Sequence, residues 1–259
     1  MKKEKIQAGL AAKWAGQEIV CLEETDSTNK YARMLAREGA AHGTLVMAQR
    51  QTAGRGRRGR SWISPAGEGI FMSLIVRPQT DPSQVARLSL AAALATARAI
   101  DRETGLDVRI KWPNDIVAAG RKVCGMLLEM DASANGIESV VAGVGINMHQ
   151  TQFDEEIAHT ASSLDLLAGR RISRSLVVRA FLEEFERAAE MADDEMMDAY
   201  RGYSATIGQR VQVIGVTGTF TGTALDVTQS GTLLVKDDEG SVHEVMAADV
   251  SVRGIMGYV

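Results

Sequence analysis

The chain reads as an α+β protein: a large domain on a mixed, mostly antiparallel sheet over residues 1–203, then a small β-barrel over 204–259. Three observations lead there. Between Asp107 and Met148 four strand-like runs, "DVRIKW", "NDIVAAG", "RKVCGMLLEM" and "GIESVVAGVGINM", follow one another across short turns such as "AAGR" and "SANG". That is a meander, not a β-α-β alternation. Helical periodicity is confined to separate blocks. After Gly202 the texture changes, and from Gly208 short β-branched runs ("QRVQVIG", "FTGTALDV", "GTLLVKD", "VHEVM", "DVSVR") alternate with glycine turns.

The elements follow in order. Residues 2–13 carry an amphipathic pattern and predict a short helix, and "EIVCLEE" predicts a strand. "DSTN" supplies helix N-caps ahead of "KYARMLARE", where Tyr31, Met34 and Leu35 form the expected apolar face. Strands are predicted over 44–50 and 70–76, flanking a glycine- and arginine-rich loop. "DPSQ", Asp81 to Gln84, is a capping box with proline at the first helical position, opening an alanine-rich helix that ends before Gly105. After the meander, 149–172 carries weak structural signals. Residues 174–199 predict one helix with Leu176, Ala180, Phe181, Phe185 and Ala188 on its buried stripe.

Composition narrows the function classes. The chain has 259 residues and a formal net charge of −4, so the four arginines between Gly54 and Arg60 are a local concentration in an acidic protein. A small anionic ligand fits this better than a long polyanion, which needs a wide basic face, and no nucleic-acid partner is predicted. The N-terminus lacks a signal-peptide core, and no apolar run approaches the roughly 20 residues that span a bilayer, so no membrane partner is predicted and the expected location is cytoplasmic. Cys21 and Cys124 both read as buried, reduced core residues, and no histidine lies near Cys124 to activate it. The four histidines show no metal-ligand spacing, so no protein metal site is predicted.

"QTAGRGRRGRSW", Gln51 to Trp62, contains a formal G-x-G-x-x-G at Gly54, Gly56 and Gly59. A dinucleotide-binding turn needs a helix after the third glycine, and here Pro65, Gly67 and a strand follow instead. The loop is suited to wrapping an anion: glycines admit backbone amides, and Arg55, Arg57, Arg58 and Arg60 supply guanidinium forks. A solvated basic surface loop is the alternative. "KWPND", Lys111 to Asp115, sits at a strand junction. It is either a turn around a core tryptophan or a place where Lys111 meets phosphate and Asn114 and Asp115 flank a reacting group. Antiparallel pairing of "RKVCG" would return Lys122 towards Asp115, and such clustering of charges costs energy without a ligand.

Taken jointly, "DSTN", "GRGRRGR.W.S", "KWPND", "RK..G" and "GVGIN" resemble the biotin–protein ligases, over roughly Glu18 to Val252. The resemblance implies a catalytic domain related to those of class II aminoacyl-tRNA synthetases and lipoate ligases, then a barrel of the Src-homology-3 kind. It implies ATP, biotin and Mg²⁺ as reactants and cofactor, and a lysine of a biotin carboxyl carrier domain as acceptor. Ser27, Thr28, Asn29 and Gln51 would hold the ureido end of biotin. Arg55, Gly56 and Arg57 would fold over biotin and adenylate, and Lys122 would meet the biotin carboxylate and α-phosphate. Arg55, Arg57, Arg58, Lys111, Asn114 and Asn147 would serve the nucleotide. The catalytic set would be Arg55, Lys111, Asp115 and Lys122, with Asp115 either taking a proton from the acceptor amine or positioning Lys122. Two departures stand out. Fewer than twenty residues precede the first predicted strand, so a short form without the family's N-terminal DNA-binding domain is expected. The stretch after "GIN" also lacks the tryptophan that covers adenine in some members, leaving Trp62 or Phe153 as candidates. Dimerisation is common in the family. A lipoate or octanoate transferase is the nearest alternative, and a nucleic-acid-binding repressor the alternative of another class.

Overall fold

The computed structural model describes residues 1–78, 83–133, 136–215, 218–247 and 250–254. Asp81 and Pro82 of the predicted capping box, and Ala134 and Asn135 of the "SANG" turn, lie outside the described residues. In chain order the first elements are α1 (Lys3–Gln7), β1 (Ile19–Thr25), α2 (Thr28–Arg37), β2 (Leu45–Gln51), β3 (Gly69–Val76) and α3 (Ser83–Thr104). The meander is β4 (Val108–Lys111), β5 (Asp115–Ala118), β6 (Arg121–Ser133) and β7 (Gly136–Asn147). Three helices follow: α4 (Leu164–Ala168), α5 (Arg174–Glu190) and α6 (Asp193–Tyr203).

These strands make one seven-stranded sheet, β1-β2-β3-β7-β6-β5-β4. Only β1 and β2 pair in parallel, joined by α2; the remaining ladders are antiparallel. Alternation along each strand assigns two faces. Ile70, Met72, Leu74 and Val76 of β3 and Val140, Ala142, Val144 and Ile146 of β7 face the main core with α3 and α5. Alanines 91, 92, 93, 95, 97 and 99 of α3 are buried, and their small side chains let that long helix approach closely. The alternate positions of each strand face the other way. There Val46, Ile75 and Val141 pack under Ala32 and Ala36 of α2. Ten residues of α2 roof only part of this face, and the uncovered part is where the site lies.

The last five strands are β8 (Arg210–Gly215), β9 (Thr219–Val227), β10 (Leu233–Asp237), β11 (Val242–Val245) and β12 (Val250–Gly254). They form an antiparallel sheet ordered β11-β10-β9-β8-β12. The two sheets are stitched together at Trp112. Its amide donates to Thr206 Oγ1 at 2.9 Å and its indole Nε1 donates to the Gly231 carbonyl at 3.0 Å. Among the described residues no helix is long and apolar enough to cross a membrane.

Five expectations need correction. The first helix stops at Gln7, because the amides of Lys13, Trp14 and Ala15 bond the Glu186 carboxylate instead of a helical turn. Met34 is exposed: α2 buries Thr28, Asn29, Ala32 and Ala36, so two polar residues occupy its inner stripe. The predicted helix over 174–199 is two helices, broken by extended backbone at Met191 and Ala192. Arg87 caps the first through the Ala189 and Met191 carbonyls, and three acidic residues favour the start of the second. Leu176 of the predicted stripe is exposed, and α4 lies inside the stretch that carried weak signals. Cys21 is exposed, since β1 is an edge strand, whereas Cys124 is buried as expected.

Candidate active site

Above the uncovered part of the sheet lies a cleft of about 1180 Å³. Its floor is set by glycines. A side chain on Gly143 would put a Cβ 2.0 Å from Asn29 Oδ1, and one on Gly145 would meet the Trp62 indole at 2.6 Å. Gly125, opposite Gly145 across the β6–β7 ladder, lies under the same indole. The sheet therefore offers bare backbone here, so that Asn29 and Trp62 can lie down on it.

At the Gly143 position the cleft wall is a hydrogen-bond network. Ser73 Oγ stands 2.6 Å from Asn29 Oδ1 and 2.8 Å from Thr28 Oγ1. The Thr28 amide and hydroxyl both donate to Gln51 Oε1, at 2.8 and 3.0 Å, and Gln51 Nε2 donates to Ser64 Oγ at 2.9 Å. Ser27 is buried at the start of α2 and lines the cleft without a side-chain capping bond. The parallel β1–α2–β2 unit is what brings "DSTN" beside Gln51, because both strands then end at the same edge.

Two residues along the ladder, about 7 Å away, the character changes to charge. Lys122 Nζ sits 2.6 Å from Asp115 Oδ1 and 5.4 Å over the Trp62 ring. The Lys122 backbone is clamped from outside: its amide donates to the Thr160 carbonyl at 2.7 Å and its carbonyl accepts from Ser162 at 3.0 Å. Lys111 is buried on the neighbouring strand, paired in register with Asp115, and lines the same cleft. Asn114 follows the cis Trp112–Pro113 peptide. Its Nδ2 donates to the Met126 carbonyl at 2.7 Å and its Oδ1 accepts from Arg57 Nη1 at 3.0 Å. Asn147 lines the far end, its Nδ2 bonded to the Ser162 carbonyl at 3.1 Å.

The arginine loop arches over both zones. Arg55 Nη2 bonds Glu129 on β6, and Arg57 reaches Asn114 and the Ala247 carbonyl beyond β11. Arg58, in the left-handed region with φ of 56°, and Arg60 also line the cleft. Burial pushes the Arg57 guanidinium down from its ordinary value. Apolar lining comes from Ile63 and Leu127, and the cleft is also bordered by Met72, Met126 and Val144, which belong to the main core. The walls expected along 123–128 and 141–144 are only partly used, because alternate residues such as Val123 and Ala142 turn into the core. A nucleophilic Cys124 is ruled out on position and chemistry: it is fully buried, and burial drives its thiol far up.

Every residue proposed from sequence for the site thus lines this one cleft: Ser27, Thr28, Asn29, Gln51, Arg55, Gly56, Arg57, Arg58, Lys111, Asn114, Asp115, Lys122 and Asn147. Of the two candidates for covering adenine, Trp62 lies in the cleft and Phe153 is not among its lining. Sequence reasoning missed Ser73 and Glu129. Each is a lone polar residue in an apolar run ("FMSLIV", "MLLEM"), and that interruption was the available signal. A cleft with neutral hydrogen-bonding groups at one end and a cluster of lysine and arginine side chains at the other suits a ligand with a neutral polar head and an anionic tail.

Comparison with known proteins agrees. Residues 21–147 match the Biotin/lipoate A/B protein ligase family and residues 206–253 match the biotin protein ligase C-terminal domain. The bifunctional ligase/repressor BirA of Bacillus subtilis is 36% identical over 97% of this chain and 79% of its own length. The biotin–[acetyl-CoA-carboxylase] ligase of Mycobacterium tuberculosis is 36% identical over 93% of this chain and 91% of its own. The biotin protein ligase of Aquifex aeolicus in complex with biotin and ATP superposes with a TM-score of 0.80 at 28% identity, covering 92% and 99% of the two chains. Fold and site thus define the ligase class shared by biotin and lipoate enzymes. Within that class the chain belongs to the biotin protein ligase family and is a biotin ligase.

Proposed function

We propose that the chain activates biotin with ATP as biotinyl-5′-AMP and transfers the acyl group to a lysine of a biotin carboxyl carrier domain. We assign catalysis to residues 1–203 and a supporting role to 204–259. The observation that carries this is the cleft's gradient, from the Thr28–Asn29–Ser73–Gln51 network to Lys122, Lys111, Arg57 and Arg58. The uncharged ureido head would sit at the network and the aliphatic tail along the Trp62 indole that covers Gly125 and Gly145. The carboxylate would then emerge beside Lys122.

In the first step a biotin carboxylate oxygen bonds to the α-phosphorus, the bond to the bridging oxygen of the β-phosphate breaks, and pyrophosphate leaves. Two anions must meet, so the barrier is largely electrostatic, and Lys122, Lys111, Arg55 and Arg58 would lower it by holding both. The carboxylate is already ionised, so no general base is needed. Among the described residues no cluster of three or more His, Cys, Asp or Glu could hold a metal, so magnesium would arrive on the nucleotide phosphates and supply further charge neutralisation. In the second step the acceptor amine attacks the acyl carbon and AMP leaves. Only about one lysine in a thousand is neutral near pH 7. Asp115, 2.6 Å from the Lys122 ammonium, would either take the proton of the acceptor amine or position Lys122.

The test is ligand-dependent pyrophosphate release with ATP-Mg²⁺ and either biotin or lipoate, followed by transfer to a carrier domain of acetyl-CoA carboxylase. Release with biotin and not lipoate, then labelling of one carrier lysine, is the expected result. Release with lipoate alone would refute the reading.

A further inference from the structure

We propose that Glu129 is a positioning residue for biotin recognition: from behind the cleft wall its carboxylate fixes which way the Asn29 amide faces and tethers Arg55. The proposal rests on the reading of the Asn29 end as the biotin pocket. Glu129 itself is not among the cleft-lining residues, although Asn29, Leu127 and Arg55 are.

The geometry is a matter of counting protons. Asn29 Nδ2 donates to Glu129 Oε2 at 2.8 Å and to the Leu127 carbonyl at 3.1 Å. Both groups accept and neither donates, so the amide nitrogen must face them and Oδ1 must face Ser73. Asn29 Oδ1 then takes the single Ser73 proton across 2.6 Å. Ser73 Oγ is left to accept, next to Thr28 Oγ1 at 2.8 Å, whose own proton goes to Gln51. The carboxylate behind the wall thus makes the floor rich in acceptors. A cyclic urea, whose ring N–H groups donate, requires such a floor. A glutamine at 129 could turn its own N–H₂ toward Asn29. Only the Leu127 carbonyl would then hold the amide nitrogen in place, and in the flipped form the Asn29 amide would donate to Ser73 and free the Ser73 proton to face the ligand's N–H.

The same carboxylate takes two bonds from Arg55 Nη2, at 2.9 and 3.0 Å. It is also 3.4 Å from Arg33 Nη1, but Arg33 is committed mainly to Asp131 through two hydrogen bonds. Glu129 is only 17% exposed against 46% for Arg55, so the buried partner anchors the mobile one. The pocket floor and the loop above it therefore share one anchor.

The experiment is steady-state pyrophosphate release by wild type, Glu129→Gln, Glu129→Asp, Asn29→Ala and the Asn29→Ala/Glu129→Gln pair, each with its melting temperature. Glu129→Gln should raise the KM for biotin about ten- to a hundredfold, the loss of one charge-assisted hydrogen bond. The KM for ATP should move far less, and Glu129→Asp should recover part of the biotin affinity. In the Asn29→Ala background, Glu129→Gln should add little. An unchanged biotin KM in Glu129→Gln overturns the proposal. So does a nonspecific loss, in which both KM values rise together while kcat and melting temperature fall, or full additivity with Asn29→Ala. Wild type failing to release pyrophosphate with biotin would instead overturn the reading of the pocket itself, and the Glu129 role with it.

Discussion

Removing the Lys122 ammonium separates two jobs that one charge performs. Its Nζ lies 2.6 Å from Asp115 Oδ1, with the lysine side chain 25% and the aspartate 15% exposed. Breaking a fully buried pair costs roughly 3–5 kcal/mol and an exposed pair about 0–1. This intermediate pair should therefore cost about 1–3 kcal/mol of stability in Lys122→Ala, mostly because Asp115 keeps its burial and loses this counter-ion. The catalytic loss has a different origin. An ammonium aimed at charge developing between carboxylate and phosphate is worth about 2–4 kcal/mol, or roughly 30- to 900-fold in rate. Adding Asp115→Asn tells the two apart. Neutralising the aspartate should return much of the stability, and nothing in it restores the rate. The assay is biotin-dependent pyrophosphate release beside urea unfolding, for wild type, both single variants and the double. A Lys122→Ala enzyme within a fewfold of wild-type rate, or a double variant that regains rate along with stability, would refute the reasoning.

Gly143→Ala should raise the biotin KM about five- to a hundredfold with the fold retained, since its Cβ would stand 2.0 Å from Asn29 Oδ1 and overpacking costs about 1–3 kcal/mol; an unchanged KM in the same release assay contradicts this. Asp131 is held down to about 2 by hydrogen bonds from Arg33 and Arg37. A lowered folded value gives stability that is present above pH ~4 and lost as pH falls through ~2. Asp131→Asn should therefore cost about 1–3 kcal/mol at pH 7 in urea unfolding and progressively less below pH 4. Arg57→Gly cuts the tie to Asn114 and to the Ala247 carbonyl. It should leave adenylate formation within about tenfold while biotin appears on bystander serum albumin. Adenylate formation without extra albumin labelling would show that Arg57 does not retain the intermediate.

Elements with strong periodicity were legible in the sequence, and so was the meander, because short turns leave consecutive strands few alternatives to pairing. The parallel β1–β2 contact was not: a strand, a helix and another strand do not say which edge the second strand joins. The break at Met191 and Ala192 was hidden because the apolar stripe of α5 runs into that of α6 without a glycine or proline. In the site, charge and glycine spacing pointed to Arg55, Lys111, Asp115 and Lys122. Ser73 and Glu129 escaped because their neighbours are core residues, and only strand alternation reveals that these two face the other way. Met34 was misplaced for the complementary reason: α2 turns Thr28 and Asn29 inward to build the pocket, so hydrophobicity was a poor guide to its inner face.

The parallel crossover through α2 has a consequence in time as well as in space. Thr28 meets Gln51 across 23 positions, Asn29 meets Glu129 across 100, and Arg57 meets Ala247 across 190. The Lys111–Asp115–Lys122 cluster is local to one meander, but the binding floor and the closing loop join parts distant in sequence, and such contacts form only after the loops between them have closed. The floor and the closing loop therefore complete the site late in folding. A ribosome-bound or half-denatured chain lacks a working site altogether. On the proposed reaction, a reactive acyl adenylate would then be made only by molecules already able to shelter it, and quality control of the chemistry would be delegated to the order of folding.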